Sequence, residues 1–200
     1  FLQSSMACSD IICEHNMDIG EKILESVKAS IDVVGCNTNL GIILLCVPIV
    51  EAIYLDKEHK FKQSNLKIVL DSINIEQTKT IYKAINAANA GGMGFKDKFD
   101  LKNSKTPDFK LIDAMKFASE YDYIAAEYST YFNSIINNIA INWRNNFRLM
   151  NDAECATTAT FLQQISLNPD SLIARKYDLN TAKQVSERFK SLAEDYCKLK

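Results

Sequence analysis

The stretch Asn37-Thr38-Asn39-Leu40-Gly41 runs straight into residues 42–50, a segment apolar on nearly every side. A helix of that kind must be buried, so other elements have to surround it. Its first turn presents backbone N–H groups without intrahelical partners, at the positive end of the helix dipole. Two kinds of acceptor suit such donors. The side chains of Asn37, Thr38 and Asn39 can cap the helix, or a bound phosphate can take the N–H groups.

The surrounding chain supplies material for that burial. It has 200 residues, 47% hydrophobic and 24% charged, with only six glycines and three prolines. This is a globular composition long enough for a substantial core, and the scarcity of Gly and Pro favours helices. A formal net charge of -2 argues against a general attraction to nucleic acid. The apolar run is too short to cross a bilayer and contains Pro48, so no membrane partner is expected. Cys8, Cys13, Cys36, Cys46, Cys155 and Cys197 form no CxxC pair. They read as reduced, mostly buried thiols of a cytoplasmic protein. Cys8 and Cys13 near His15 are not followed by a second pair with zinc spacing.

The helices can be traced by their ends. Asp18-Ile19-Gly20-Glu21 is a capping box for a helix to about Val34, ended by Gly35. The next helix spans about Thr38 to Tyr54 and bends at Pro48. His59 falls in a charged, solvated loop. Residues 66–70 have strand-like composition, but a short helix suits their neighbours better. Asn74-Ile75-Glu76-Gln77 is a second capping box, and its helix stops at Gly91-Gly92-Met93-Gly94. An irregular polar stretch to Pro107 is a candidate ligand-covering loop. A long helix is predicted from about Asp108 to Asn137, then helices over 140–150 and 152–165 and a pair after Pro169. With no repeat or linker, the expectation is an all-α, single-domain multi-helix bundle over residues 1–200.

Three places depart from plain helix-building. Leu111, Met115, Ala118, Asp122, Ala125, Ser129, Phe132 and Ile136 form one near-heptad stripe, and Asp122 alone in it is charged. A carboxylate on an inward face needs a partner. It is either a structural ion pair with Lys or Arg, or a catalytic or Mg²⁺-binding group; Asp113 lies off the stripe. In Pro169-Asp170-Ser171-Leu172-Ile173-Ala174-Arg175-Lys176, Asp170 or Ser171 caps a helix. Arg175 lies on the Ser171 face and, with Lys176, is either a surface pair or a phosphate grip. The glycine run around Gly92 is either a helix stop or a close approach to phosphate, and Asp100 follows it in a polar loop.

Taken in order, these segments, together with Leu44-Leu45, Pro48-Ile49, Asp113-Ala114-Met115, Ile124-Ala125 and Tyr128, resemble triphosphoribosyl-dephospho-CoA synthases across nearly the whole chain. The resemblance implies a transferase that moves the 5-triphosphoribosyl group of ATP to the 2'-hydroxyl of 3'-dephospho-CoA and releases adenine. It implies Mg²⁺, with Asp122 and Asp170 as metal carboxylates and Asp122 and Asp100 as catalytic groups. Asn37, Thr38, Asn39, Gly41, Gly92, Asp170, Ser171, Arg175 and Lys176 would hold the nucleotide. The family's Lys-Pro-Gly-Asn segment precedes the region where this chain begins, so the chain is expected to be the C-terminal portion of a longer family chain. Tyr121 stands where the family usually has Arg, and Glu127 where it has Gln. The alternatives are a related ribosyl transferase with a different acceptor, or a non-catalytic helical nucleotide-binding or interaction protein. A homodimer is compatible with each.

Overall fold

In the computed structural model, which describes residues 1–89 and 107–198, both predicted capping boxes form. The Asp18 and Asn74 side chains each accept from the backbone N–H three residues on, while Glu21 and Gln77 accept from the cap's own N–H. Eleven α-helices and one π-helical turn occur among the described residues, with no strand: α1 (Leu2–Ile12), α2 (Ile19–Val34), α3 (Leu40–Tyr54), α4 (Gln63–Ser72), α5 (Ile75–Ala87), α6 (Leu111–Ala118), α7 (Tyr123–Ser129), the π turn (Ile135–Ile139), α8 (Ala140–Met150), α9 (Ala153–Leu167), α10 (Ser171–Lys176) and α11 (Leu179–Lys198). The fold class is all-α. Gly35 closes α2 at φ 72°, a conformation glycine adopts without strain. The Gly91–Gly94 run, including Gly92, and Asp100 lie outside the described residues.

The structure corrects three expectations. The long helix predicted over 108–137 is broken into α6, α7 and the π turn. Tyr131 and Phe132 adopt φ 53° and 58°, a left-handed conformation no α-helix contains. Phe132 is fully buried, and Tyr131 Oη donates to Asp71 Oδ1 at 3.0 Å beneath Lys67, which sits over its ring. Burial and these contacts hold a kink that periodicity alone cannot reveal. Second, α3 starts at Leu40, two residues later than expected, because Asn39 lies at ψ 5° and φ -127°. Third, among the described cysteine side chains only Cys8 is buried, whereas Cys13 and Cys36 are exposed.

The helices gather in two compact units, residues 1–120 with 124–131, and residues 121–123 with 132–200. The first unit is built on large aliphatics. Ile23, Ile43, Val47, Leu66, Leu70, Ile81 and Leu111 are buried there. Helices α2 and α5 approach closely at Gly20, where an added Cβ would come 3.0 Å from the Gln77 carbonyl oxygen. Thr78 ties α6 to α5: its Oγ1 donates to the Asn74 carbonyl at 2.8 Å and accepts from the Leu111 N–H at 3.0 Å.

Pro48 leaves α3 with a specific defect, because it has no N–H to give the Leu44 carbonyl one turn back. Tyr128 of α7 supplies the missing donor, its Oη reaching that carbonyl at 2.6 Å. Burial pushes the Tyr128 phenol far above its ordinary range, so it stays protonated and donating.

The second unit packs on small and polar residues instead. Ala156, Ala159 and Thr160 of α9 and Ala182, Ser186 and Ala193 of α11 are buried, and such residues let helix axes come close. Helix α8 is held to α9 by Asn146, whose Nδ2 donates to Thr160 Oγ1 at 2.9 Å and Gln163 Oε1 at 3.1 Å.

Candidate functional site

Helix α10 begins at Ser171 because Asp170 caps it, Oδ1 accepting from the Leu172 and Ile173 N–H groups at 2.6 and 3.0 Å. Within this short helix, Arg175 reaches back to Asp122, its Nη1 donating to Oδ2 at 2.7 Å. The two side chains are 26% and 18% exposed, so the pair is half-sheltered rather than sealed. Beside it the Tyr123 N–H makes a long contact of 3.4 Å to Ser171 Oγ. Burial, and then the nearby Asp170 carboxylate, push the Tyr123 phenol up. Four residues singled out in the sequence, Asp122, Asp170, Ser171 and Arg175, thus form one corner of the second unit. Lys176 is exposed and has no partner among the described residues.

Asp122 has the ion-pair partner that a sheltered carboxylate requires. The pair is one-pronged through Nη1, and Arg175 Nε is buried without an acceptor among the described residues. A guanidinium presents its donors as a planar fork. With Nε sealed from solvent, a phosphate would meet Arg175 only through the 26% of its side chain that is exposed.

In the first unit, the Asn37-to-Gly41 segment is tied to α1. Asn37 Oδ1 accepts from the Leu40 N–H at 3.2 Å, and Thr38 Oγ1 donates to Ser4 Oγ at 3.0 Å. The Asn39 amide is buried; turned with its oxygen toward Ser4 Oγ and the Ser5 N–H and its nitrogen toward the Thr38 carbonyl, it is fully satisfied. The N–H groups of Gly41 and Ile42 have no partner among the described residues. A phosphate at this terminus would meet backbone donors, while Thr38 and Asn39 hold the loop in shape.

Among the described residues, no three His, Cys, Asp or Glu side chains gather to hold a metal ion. Mg²⁺ needs less when phosphate is present, because it usually keeps waters and takes one or two carboxylates plus phosphate oxygens. Asp122 and Asp170, hard oxygen donors in one corner, fit a phosphate-borne Mg²⁺.

Two residues carry more than the sequence reading assigned them. Lys22 is 1% exposed and pairs with Glu51 of α3, with its ammonium 5.4 Å from the Tyr54 ring centre. The signal was present, since Lys22 falls on the stripe Ile19, Ile23, Ser26, Val27 and Ser30 that α2 buries. Tyr128 was visible only as part of a resemblance. Its role depends on Pro48, 80 residues earlier in the chain, a link no local pattern carries.

No helix among the described residues is long and apolar enough to cross a membrane. Compared with known proteins, residues 1–198 match a family model described as CitG: ATP:dephospho-CoA triphosphoribosyl transferase. No curated protein and no solved structure matches the chain.

Proposed function

Because the chain belongs to the ATP:dephospho-CoA triphosphoribosyl transferase family, and is therefore an enzyme of the transferase class, we propose that it moves the 5-triphosphoribosyl group of ATP to the 2'-hydroxyl of 3'-dephospho-CoA. The bond from the ribose anomeric carbon to the adenine nitrogen breaks. A bond from that carbon to the acceptor oxygen forms. Adenine departs carrying a proton, and the acceptor hydroxyl gives one up.

The observation that carries this reading is the corner built from Asp122, Asp170, Ser171 and Arg175. As adenine leaves, positive charge grows on the ribose, and a fixed carboxylate nearby stabilises it. Asp122 fills that role. It also accepts the hydroxyl proton, or passes that task to Asp100. Arg175 orients Asp122 and sets its positive charge beside the triphosphate, while the exposed Lys176 adds a second cation. Gly41, with Asn37, Thr38 and Asn39 shaping the loop before it, presents backbone N–H groups to a phosphate, and Gly92 is assigned to the same nucleotide. When bound, Mg²⁺ neutralises triphosphate charge, with Asp122 and Asp170 as its protein ligands.

The test is mass spectrometry of 3'-dephospho-CoA incubated with the protein, ATP and Mg²⁺. The expected product is the acceptor enlarged by one triphosphoribosyl group. Recovery of both substrates unchanged from a folded protein contradicts the proposal.

A further inference from the structure

The π turn and helices α8 and α9 line an open groove of about 500 Å³ in the second unit, within the size range of small-molecule sites. Its walls are apolar, with Ile135 and Ile139 from the π turn, Trp143 from α8 and Phe161 from α9. The indole is held in place: its Nε1 donates to Thr157 Oγ1 at 2.9 Å, and its ring stacks on Phe147 with planes 7° apart. An aromatic wall fixed in this way is organised before any ligand arrives. A π turn is an uncommon backbone feature that recurs at functional sites.

The polar groups of the cleft divide into spent and unspent. Thr157 accepts from Trp143 and donates to the Ala153 carbonyl. Thr160 accepts from Asn146 and donates to the Ala156 carbonyl. The Arg144 guanidinium and the Gln164 amide line the cleft without partners among the described residues. Apolar walls flanked by the exposed Arg144 and by Gln164 suit a ligand with an apolar stretch, an amide and an anion at one end.

We propose that this cleft holds the pantetheine arm of the acceptor, with Arg144 on the adjoining phosphate and Gln164 on an arm amide. The assignment rests on the transferase reading above and adds to it the place where the acceptor is gripped. An arm bound here positions the acceptor for transfer without touching the reacting atoms.

Trp143 is the chain's only tryptophan, so its fluorescence reads the cleft directly in the whole protein. Titration with 4'-phosphopantetheine is expected to change its emission saturably. Arg144→Ala is expected to weaken that response about tenfold and to leave the response to unphosphorylated pantetheine unaltered. Phe161 is 55% exposed and meets Phe189 of α11 edge-on at 6.2 Å, so thermal unfolding checks that Phe161→Asp keeps the fold. It is expected to abolish both responses and to raise KM for 3'-dephospho-CoA at least about tenfold, with KM for ATP unchanged. Turnover of 3'-dephospho-CoA with wild-type KM in Phe161→Asp, and no emission change in the parent protein, overturns the cleft and leaves the transferase reading intact. An emission change with phosphopantetheine in a protein that makes no adduct upholds the cleft and removes the transfer reaction. Dilution-dependent emission without ligand, accompanied by a dimer that Phe161→Asp dissociates, makes the cleft a contact between two copies and overturns the proposal.

Discussion

The two units of this chain solve the same packing problem with different side chains. In the first, α2 to α6 close around isoleucine, leucine and valine, and its polar interior contacts repair particular defects, such as the Leu44 carbonyl beneath Pro48. In the second, alanine, threonine, serine and asparagine fill the contacts among α8, α9 and α11. Apolar burial per residue sets most of the stability. The second unit is therefore expected to open more readily than the first, and binding surfaces are drawn from such regions. It is also where the Asp122–Arg175 corner and the Trp143 cleft lie.

The strongest challenge to this contrast is a pair of truncations. Ile81→Ala in the first unit is expected to cost about 2–5 kcal/mol, whereas Leu149→Ala in the second should stay within about 0.5 kcal/mol. Urea unfolding measures both, and equal losses would erase the distinction. Asp122→Asn sharpens the functional side. Product formation is expected to fall about 100-fold or more, roughly 2.7 kcal/mol of barrier, with secondary structure by circular dichroism unchanged. Full activity in that variant would reduce the ion pair to a structural contact.

A smaller effect tests the repair in the first unit. Tyr128→Phe strands a buried carbonyl and is expected to cost about 1–3 kcal/mol. In a Pro48→Ala background, where residue 48 regains its N–H, the same change should cost clearly less, so the two substitutions couple in a double-mutant cycle. Additive losses would show that the tyrosine serves some other purpose. The smallest effect is on pH dependence. Bonding to Lys62 and to the Glu58 and Lys60 N–H groups holds Asp56 below the usual carboxylate range. In the second unit, bonding to Thr181 does the same for Asp178. A carboxyl group depressed in the folded state stabilises above its unfolded value near about 4 and loses that contribution as pH falls through the folded value. Asp56→Asn and Asp178→Asn should each lower stability at neutrality, where the carboxylate contributes, and so flatten the acid limb of the stability curve below about pH 4, where that contribution has already gone.

Much of the helix pattern was legible because helix ends are written locally. Asp18 with Glu21, Asn74 with Gln77, and Gly35 act within one turn of chain, and each behaves as its chemistry demands. The break after Ser129 was not legible, because Tyr131 and Phe132 take left-handed conformations held by burial and by Asp71 and Lys67, far away in sequence. The candidate site divides in the same way. The Asp170 cap is local and could be read directly. The Asp122 anomaly told that a partner was needed, but only the folded chain identifies it as Arg175. The roles of Thr38 and Asn39 depend on Ser4 of α1, and nothing in the Asn37-to-Gly41 segment announces that neighbour.

The most direct trial of the account is the rate at which the folded protein frees adenine from ATP, followed chromatographically with and without 3'-dephospho-CoA. Adenine that accumulates only when the acceptor is present, in step with the adduct, is the predicted result. No adenine under either condition, or the same rate whether or not the acceptor is added, would contradict it.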